Sequence, residues 1–168
     1  MQALSPDDAS ICSALADVEK EAGKTAVGRG YVYIWGSFEG GRGAGSSTTP
    51  KMLEGAKGRQ VVDVACGLQH TVLVTASGEV LAWGSNKYSQ CGTVAREEVV
   101  SLPTYVSGLF GHRCATVACG GAHTLVVSDM GKTFSWGQNA CGQLGLGHKT
   151  ALVATPTQVP LSSLSHPL

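Results

Sequence analysis

Along most of this chain the apolar positions recur every second residue. Val61–Ala65, Thr71–Thr75 and Val80–Trp83 are short runs rich in β-branched and aromatic side chains, separated by Cys66-Gly-Leu-Gln69 and Ala76-Ser-Gly-Glu79. Runs of this kind, bounded by turn residues, predict strands joined by hairpins. Gly78, and Gly131 in a later segment, fall where such a hairpin needs a positive φ, which glycine tolerates best. The first residues follow a different pattern. Ser5 suits a helix cap, Pro6 the first helical position, and Asp7 and Asp8 the positive helix end. Ile11, Leu15, Val18 and Ala22 then form one stripe at helical spacing, so a helix is expected within residues 1–27, packed on the first strands.

The strand pattern repeats. Residues 61–84, VVDVACGLQHTVLVTASGEVLAWG, align without a gap to residues 114–137, CATVACGGAHTLVVSDMGKTFSWG, at a shift of 53. Gly67, His70, Gly78, Trp83 and Gly84 match Gly120, His123, Gly131, Trp136 and Gly137. Beyond each Trp-Gly, Asn86, Gln90 and Gly92 match Asn139, Gln143 and Gly145. A weaker copy carries Trp35-Gly36, 48 residues before Trp83, and runs into a glycine-rich loop. Each copy then reaches a proline and an apolar stretch, at Pro50, Pro103 and Pro156. The unit is about fifty residues with about four strands, the arithmetic of a β-propeller blade. This gives a helical segment 1–27, a repeat region 28–161 with copies near 31–60, 61–110 and 114–161, and a tail 162–168.

Composition narrows the function classes. Glycine supplies 23 of 168 residues, about twice average usage, without the strict period of collagen. Twelve basic residues balance twelve acidic ones, which argues against a nucleic-acid arm or a polybasic membrane anchor. No apolar run is long enough to span a membrane, and the acidic first residues do not form a signal peptide. The six cysteines contain no C-x-x-C pair and read as reduced thiols, so a cytoplasmic or nuclear location is expected.

The order V-A-C-G-x-x-H-T, G-x-V-x-x-W-G, N-x-x-G-Q-L-G-L-G and then Pro resembles the repeat of the regulator of chromosome condensation 1 (RCC1) family, over about residues 30–160. The resemblance implies an all-β fold of propeller blades, seven in the family. It also implies functions ranging from nucleotide exchange on a small GTPase, through chromatin association, to protein interaction. In that reading Trp35, Trp83 and Trp136, each followed by Gly36, Gly84 or Gly137, anchor the blades. Gly67, His70, Gly120 and His123 fix turns, with the histidines bonded to turn backbone. The copies are not uniform. Ser89 and Cys91 replace the expected Gly and Leu, and the first copy lacks the N-x-x-G-Q-L-G loop. Seven blades of about fifty residues need about 350, so the chain is expected to form a partial or open propeller, which exposes blade edges to self-association.

Other chemistry is weaker. Cys66, His70, Cys119 and His123 have ligand-type side chains but sit in equivalent places of neighbouring blades, where they need not converge, so no metal is expected. Gly142–Thr150 lacks a phosphate-loop pattern because His148 interrupts it. No nucleophile–base arrangement or cofactor motif appears, and the chain is expected not to be an enzyme. His112 and Arg113, in a loop, are candidate partner contacts. The sequence therefore predicts a non-catalytic protein-interaction module presenting loops 36–49, 84–98 and 137–150. The alternatives are an exchange factor, or part of one, for a Ran-like small GTPase, and an incomplete piece of a larger propeller. A weaker chromatin contact and no membrane partner complete the expectation.

Overall fold

A computed structural model describes residues 12–17, 31–38, 45–94 and 97–161. These form eleven strands: β1 (Cys12–Asp17), β2 (Tyr31–Phe38), β3 (Gly45–Met52), β4 (Val61–Cys66), β5 (His70–Thr75), β6 (Val80–Ser85), β7 (Val99–Tyr105), β8 (Cys114–Cys119), β9 (His123–Ser128), β10 (Thr133–Gln138) and β11 (Leu152–Gln158). One 3-10 turn, Glu54–Ala56, follows β3. The strands make three antiparallel sheets, β1-β2-β3, β4-β5-β6-β7 and β8-β9-β10-β11, each in chain order. The fold is all-β, as the two-residue periodicity implies. No helix among the described residues is long and apolar enough to cross a membrane.

Local chemistry sets the strand ends. The β5–β6 hairpin closes through Gly78 N–H to the Thr75 carbonyl at 2.8 Å, with Gly78 at φ 85°. Its counterpart closes through Gly131 N–H to the Ser128 carbonyl at 2.9 Å, with Gly131 at φ 74°. The proline stretches supply the fourth strands, β7 with Pro103 and β11 with Pro156. Both are edge strands, where a missing N–H is tolerated.

The segment expected to be helical is corrected where the structure describes it. Cys12–Asp17 is a strand, paired antiparallel to β2 from Cys12↔Gly36 to Asp17↔Tyr31. The rest of 1–27 lies outside the described residues. The register reveals the cause, because His70 pairs with Gly84 and His123 with Gly137 in the other sheets. Cys12 therefore takes the histidine position of an incomplete first blade. The edge of β2 offers a row of backbone donors and acceptors, and pairing them outweighs a modest local helix preference.

The middle sheet is covered on both faces, since all six residues of β5 and all six of β6 are buried. In β9, burial alternates: Thr124, Val126 and Ser128 are buried, whereas His123, Leu125 and Val127 are half-buried. Alternate residues of a strand face opposite sides, so the third sheet is covered on one face only among the described residues. The core clusters Trp83, Leu73, Leu81, Val126 and Trp136 at the two junctions between sheets.

Candidate interaction surface

The second and third sheets are joined by side-chain hydrogen bonds as well as by packing. The Thr124 hydroxyl donates to the Gln90 carbonyl at 2.9 Å, and Trp136 Nε1 donates to the same carbonyl at 2.9 Å. His70 Nε2 lies 2.9 Å from Thr124 Oγ1. That hydroxyl has one proton and gives it to Gln90, so His70 must donate from Nε2 and leave Nδ1 bare. His70 thus reaches across to the next sheet instead of closing its own turn, which corrects the turn-backbone role expected for it. Lower on the same junction, Asp63 Oδ2 accepts from Thr116 Oγ1 at 2.6 Å and from Val117 N–H at 2.9 Å. Its other oxygen accepts from Val64 N–H at 2.9 Å.

Burial, and secondarily the nearby His123, hold the His70 imidazole down at about 4. The bare Nδ1 has no hydrogen-bond partner, so protonating it would bury an unsatisfied N–H as well as a charge. The unfolded chain takes up this proton near pH 6.5, whereas the folded chain resists until about 4. Stability is therefore full above pH 6.5, falls as the pH drops toward 4, and the loss levels off below that. The span corresponds to ~3 kcal/mol. His123, also lowered by burial, adds to the loss. Urea midpoints measured from pH 7.5 to 4 should fall, and His70→Gln should flatten the slope. A wild-type midpoint that stays constant over this range would refute the assignment.

Two of the thiols, Cys91 and Cys119, are equally withdrawn from chemistry. Burial pushes Cys91 up to about 12, helped by Cys119. Cys119 is also pushed up to about 12, by burial first and then by Asp63. Such groups stay protonated and are poor nucleophiles or ligands. Among the described residues, no three His, Cys, Asp or Glu side chains converge as a metal cluster.

Antiparallel order places connections alternately at two ends of each sheet. One end holds the turns 67–69 and 120–122 and the long loops 86–98 and 139–151; the other holds the hairpins 76–79 and 129–132 and the linker 106–113. The long loops are tied internally. Asn139 Oδ1 accepts from Leu144 N–H at 3.2 Å, and its Nδ2 donates to the His148 carbonyl at 3.0 Å. Asn86 repeats this with Cys91 N–H at 3.2 Å and the Glu97 carbonyl at 3.2 Å. Gln90 and Gln143 each accept from a loop N–H, of Tyr88 and Cys141.

The candidate contacts His112 and Arg113 lie at the opposite end from those loops. Arg113 Nη2 donates to the Ala76 carbonyl at 2.9 Å, and its Nε lies 3.8 Å from Asp129 Oδ2, with the side chain largely exposed. The His112 ring sits 4.7 Å from the Phe134 ring at a 45° tilt. Between the 76–79 hairpin and the linker lies an open groove of about 390 Å³. Phe110 stands on its rim with 95% of its surface exposed. Tyr105, on its wall, accepts from Arg59 Nη1 at 2.6 Å, and the guanidinium sits 5.1 Å over the ring.

The remaining motif residues divide by place. Trp83 and Trp136 are buried, whereas Trp35 is half-buried. Gly36, Gly84 and Gly137 take φ values of 89°, 101° and 102°. Gly67 and Gly120 lie against the rings of His70 and His123, where a Cβ would collide. The sequence did not show the inter-sheet bonds of Asp63, Thr124 and Gln90, nor the exposure of Phe110. Asp63 had one signal, a carboxylate inside an otherwise apolar strand. Phe110 had another, a bulky apolar residue between the turn glycines Gly108 and Gly111.

Consecutive antiparallel sheets, packed face to face with matching register, define part of a β-propeller. The chain belongs to the regulator of chromosome condensation (RCC1) repeat family. That repeat matches residues 77–127 and 130–166, and a second description of it matches 61–90 and 114–143. Over 124 residues the chain is 39% identical to the E3 ubiquitin-protein ligase HERC2 of Homo sapiens, covering 70% of this chain and 2% of that protein. Among solved structures, human WBSCR16 aligns with a TM-score of 0.71 and 27% identity over 80% of this chain and 34% of that one. Prp20p of Saccharomyces cerevisiae, whose structure was described together with its binding properties to Gsp1p and histones, aligns with a TM-score of 0.68 and 20% identity. That alignment covers 77% of this chain and 34% of Prp20p, so the chain spans about a third of each of these two structures.

Proposed function

We propose that this chain is a non-catalytic RCC1-repeat module that recognises a protein partner through the linker end of its blades. The observation that carries this reading is the groove beside Phe110. A large aromatic ring left in water next to Tyr105 and Arg113 matches the residue types that dominate binding energy at protein interfaces. The groove walls belong to a hairpin and a linker that are tied together by the Arg113–Ala76 bond and by Cys114 N–H to the Gly78 carbonyl at 3.0 Å. A surface held in this way loses little entropy on binding. The chemistry of the described side chains supports a binding role, since the two most perturbed thiols are held protonated and His70 is engaged inside the core.

The alternative is nucleotide exchange on a small GTPase, favoured by the fold shared with Prp20p and the Gsp1p binding stated for that protein. One experiment separates the two. The wild-type chain and the double variant Phe110→Ser/Arg113→Glu are used as bait in cell extract, and both are assayed for release of fluorescent GDP from Gsp1p. The recognition reading expects a saturable partner that is retained by the wild type, lost by the variant, and no change in GDP release. Unchanged retention by the variant, or concentration-dependent acceleration of release, would overturn it.

A further inference from the structure

One face of the third sheet is half-covered, and on the first sheet Trp35 is half-buried. We propose that a second copy of this chain docks its first sheet on the third sheet, head to tail. This surface is separate from the linker-end groove, so the proposal stands apart from the function proposed above.

The junction between the second and third sheets supplies the template. On the giving side it uses His70, Val72 and Val74 of β5 and the carbonyl of Gln90; on the receiving side it uses Thr124 of β9 and Trp136 of β10. A shift of 53 places His123, Leu125, Val127 and Gln143 at the four giving positions of the third sheet. Their counterparts in the second sheet are all buried, whereas these four are half-buried. The third sheet thus presents a histidine, two aliphatic side chains and the Gln143 loop position, with nothing packed over them among the described residues.

The receiving side recurs on the first sheet. Trp35 pairs with Ser13 as Trp136 pairs with Thr124, so a hydroxyl residue stands at the register position of Thr124 beside a tryptophan. Trp35 and Tyr33 are half-buried, although Trp83 and Leu81 at the same positions of the second sheet are buried. The occupant is therefore defined by the junction itself: a sheet with a hydroxyl residue and a tryptophan at paired positions of adjacent strands, as Thr124 and Trp136 are on β9 and β10 and Ser13 and Trp35 on β1 and β2. A second copy carries that face. The contact joins unlike surfaces, and such heterologous contacts form rings when the rotation closes. Three sheets among the described residues of each chain make six in a pair, inside the usual range of about four to eight propeller blades.

Light scattering over a wide concentration range tests this. The wild-type chain is expected to reach twice the mass of one chain, and Leu125→Glu, on the half-exposed face, should remain a single chain with unchanged cooperative unfolding. Trp35→Glu should do the same from the other side. Mixed together, the two variants should pair one to one, because the intact first sheet of one meets the intact third sheet of the other. Acrylamide quenching provides a readout without substitution: Trp35 is the half-buried tryptophan, so quenching should weaken as concentration rises. A wild-type chain that stays single, a Leu125→Glu chain that still pairs, variants that fail to complement, or quenching independent of concentration would each overturn the proposal.

Discussion

Trp136→Ala should be among the most damaging single substitutions in this chain, costing ~3–5 kcal/mol. The indole is fully buried at 0% exposure in the junction between the second and third sheets. Its Nε1 donates to the Gln90 carbonyl at 2.9 Å, and Gly92 packs against its ring, where an added Cβ would lie 2.6 Å from Nε1. Truncation removes apolar burial, opens a void between two sheets, and takes one of two donors from the Gln90 carbonyl. Neighbours are fixed by their own ladders and relax little into the space. With total stability of the usual ~5–15 kcal/mol, much of the margin disappears. Urea unfolding followed by circular dichroism should show a large fall in midpoint, and Trp136→Phe a smaller one. A change under ~1 kcal/mol for the alanine variant would show that this junction is not a main source of stability.

Gly137→Ala should cost ~2–6 kcal/mol by a different route. The residue has φ 102°, and a Cβ there would lie 2.6 Å from the Ala122 carbonyl oxygen and 2.8 Å from His123 Cα, with Gln90 Cα at 3.3 Å. Backbone on two sides leaves no flexible group to yield. Strain at that dihedral contributes ~1–3 kcal/mol and overpacking a similar ~1–3 kcal/mol. Gly131→Ala isolates the first contribution, since it has φ 74° but nothing within 4 Å of the added carbon. The same urea titration should place Gly131→Ala well above Gly137→Ala in midpoint. Equal midpoints would mean that close approach contributes nothing at Gly137.

Residues of this kind explain how much of the fold was legible in the sequence. The blades could be read because each copy carries its own punctuation: a glycine in the hairpin, a Trp-Gly pair on the third strand, an Asn that closes the long loop. These are local demands of backbone geometry, and local demands leave marks in one sequence. In the first sheet β1, which takes the place of β5 and β9, was hidden. In the other sheets the second and third strands are separated by residues 76–79 or 129–132, but here residues 18–30 intervene, and Cys12–Asp17 lacks the His-Thr signature. A stripe with helical spacing then supplied the more conspicuous pattern, and only the free edge of β2 decided against it for those six residues.

The surface was less legible, for a related reason. Asp63 pairs with Thr116, and His70 with Thr124, at sequence separations of 53 and 54. Such contacts depend on how one sheet sits on the next, which periodicity inside a strand does not encode. The loop position of His112 and Arg113 was readable from the flanking glycine, but their separation from the long glycine-rich loops follows from strand direction. The groove beside Phe110 exists only because the linker folds back over the 76–79 hairpin.

Among the described residues the middle sheet has a neighbour on each side, whereas the third has one on a single face. In a linear stack whose members touch only their nearest neighbours, stability is distributed like load in an arch. The central member cannot be loosened without releasing both junctions at once. A substitution in β5 or β6 is therefore counted twice, and its equivalent 53 positions later is counted once. Two copies of the same motif with nearly the same residues thus carry unequal weight in the folding of one chain: change on the outer face of the third sheet bears on contacts outside the chain, whereas change on either face of the second bears on the fold itself.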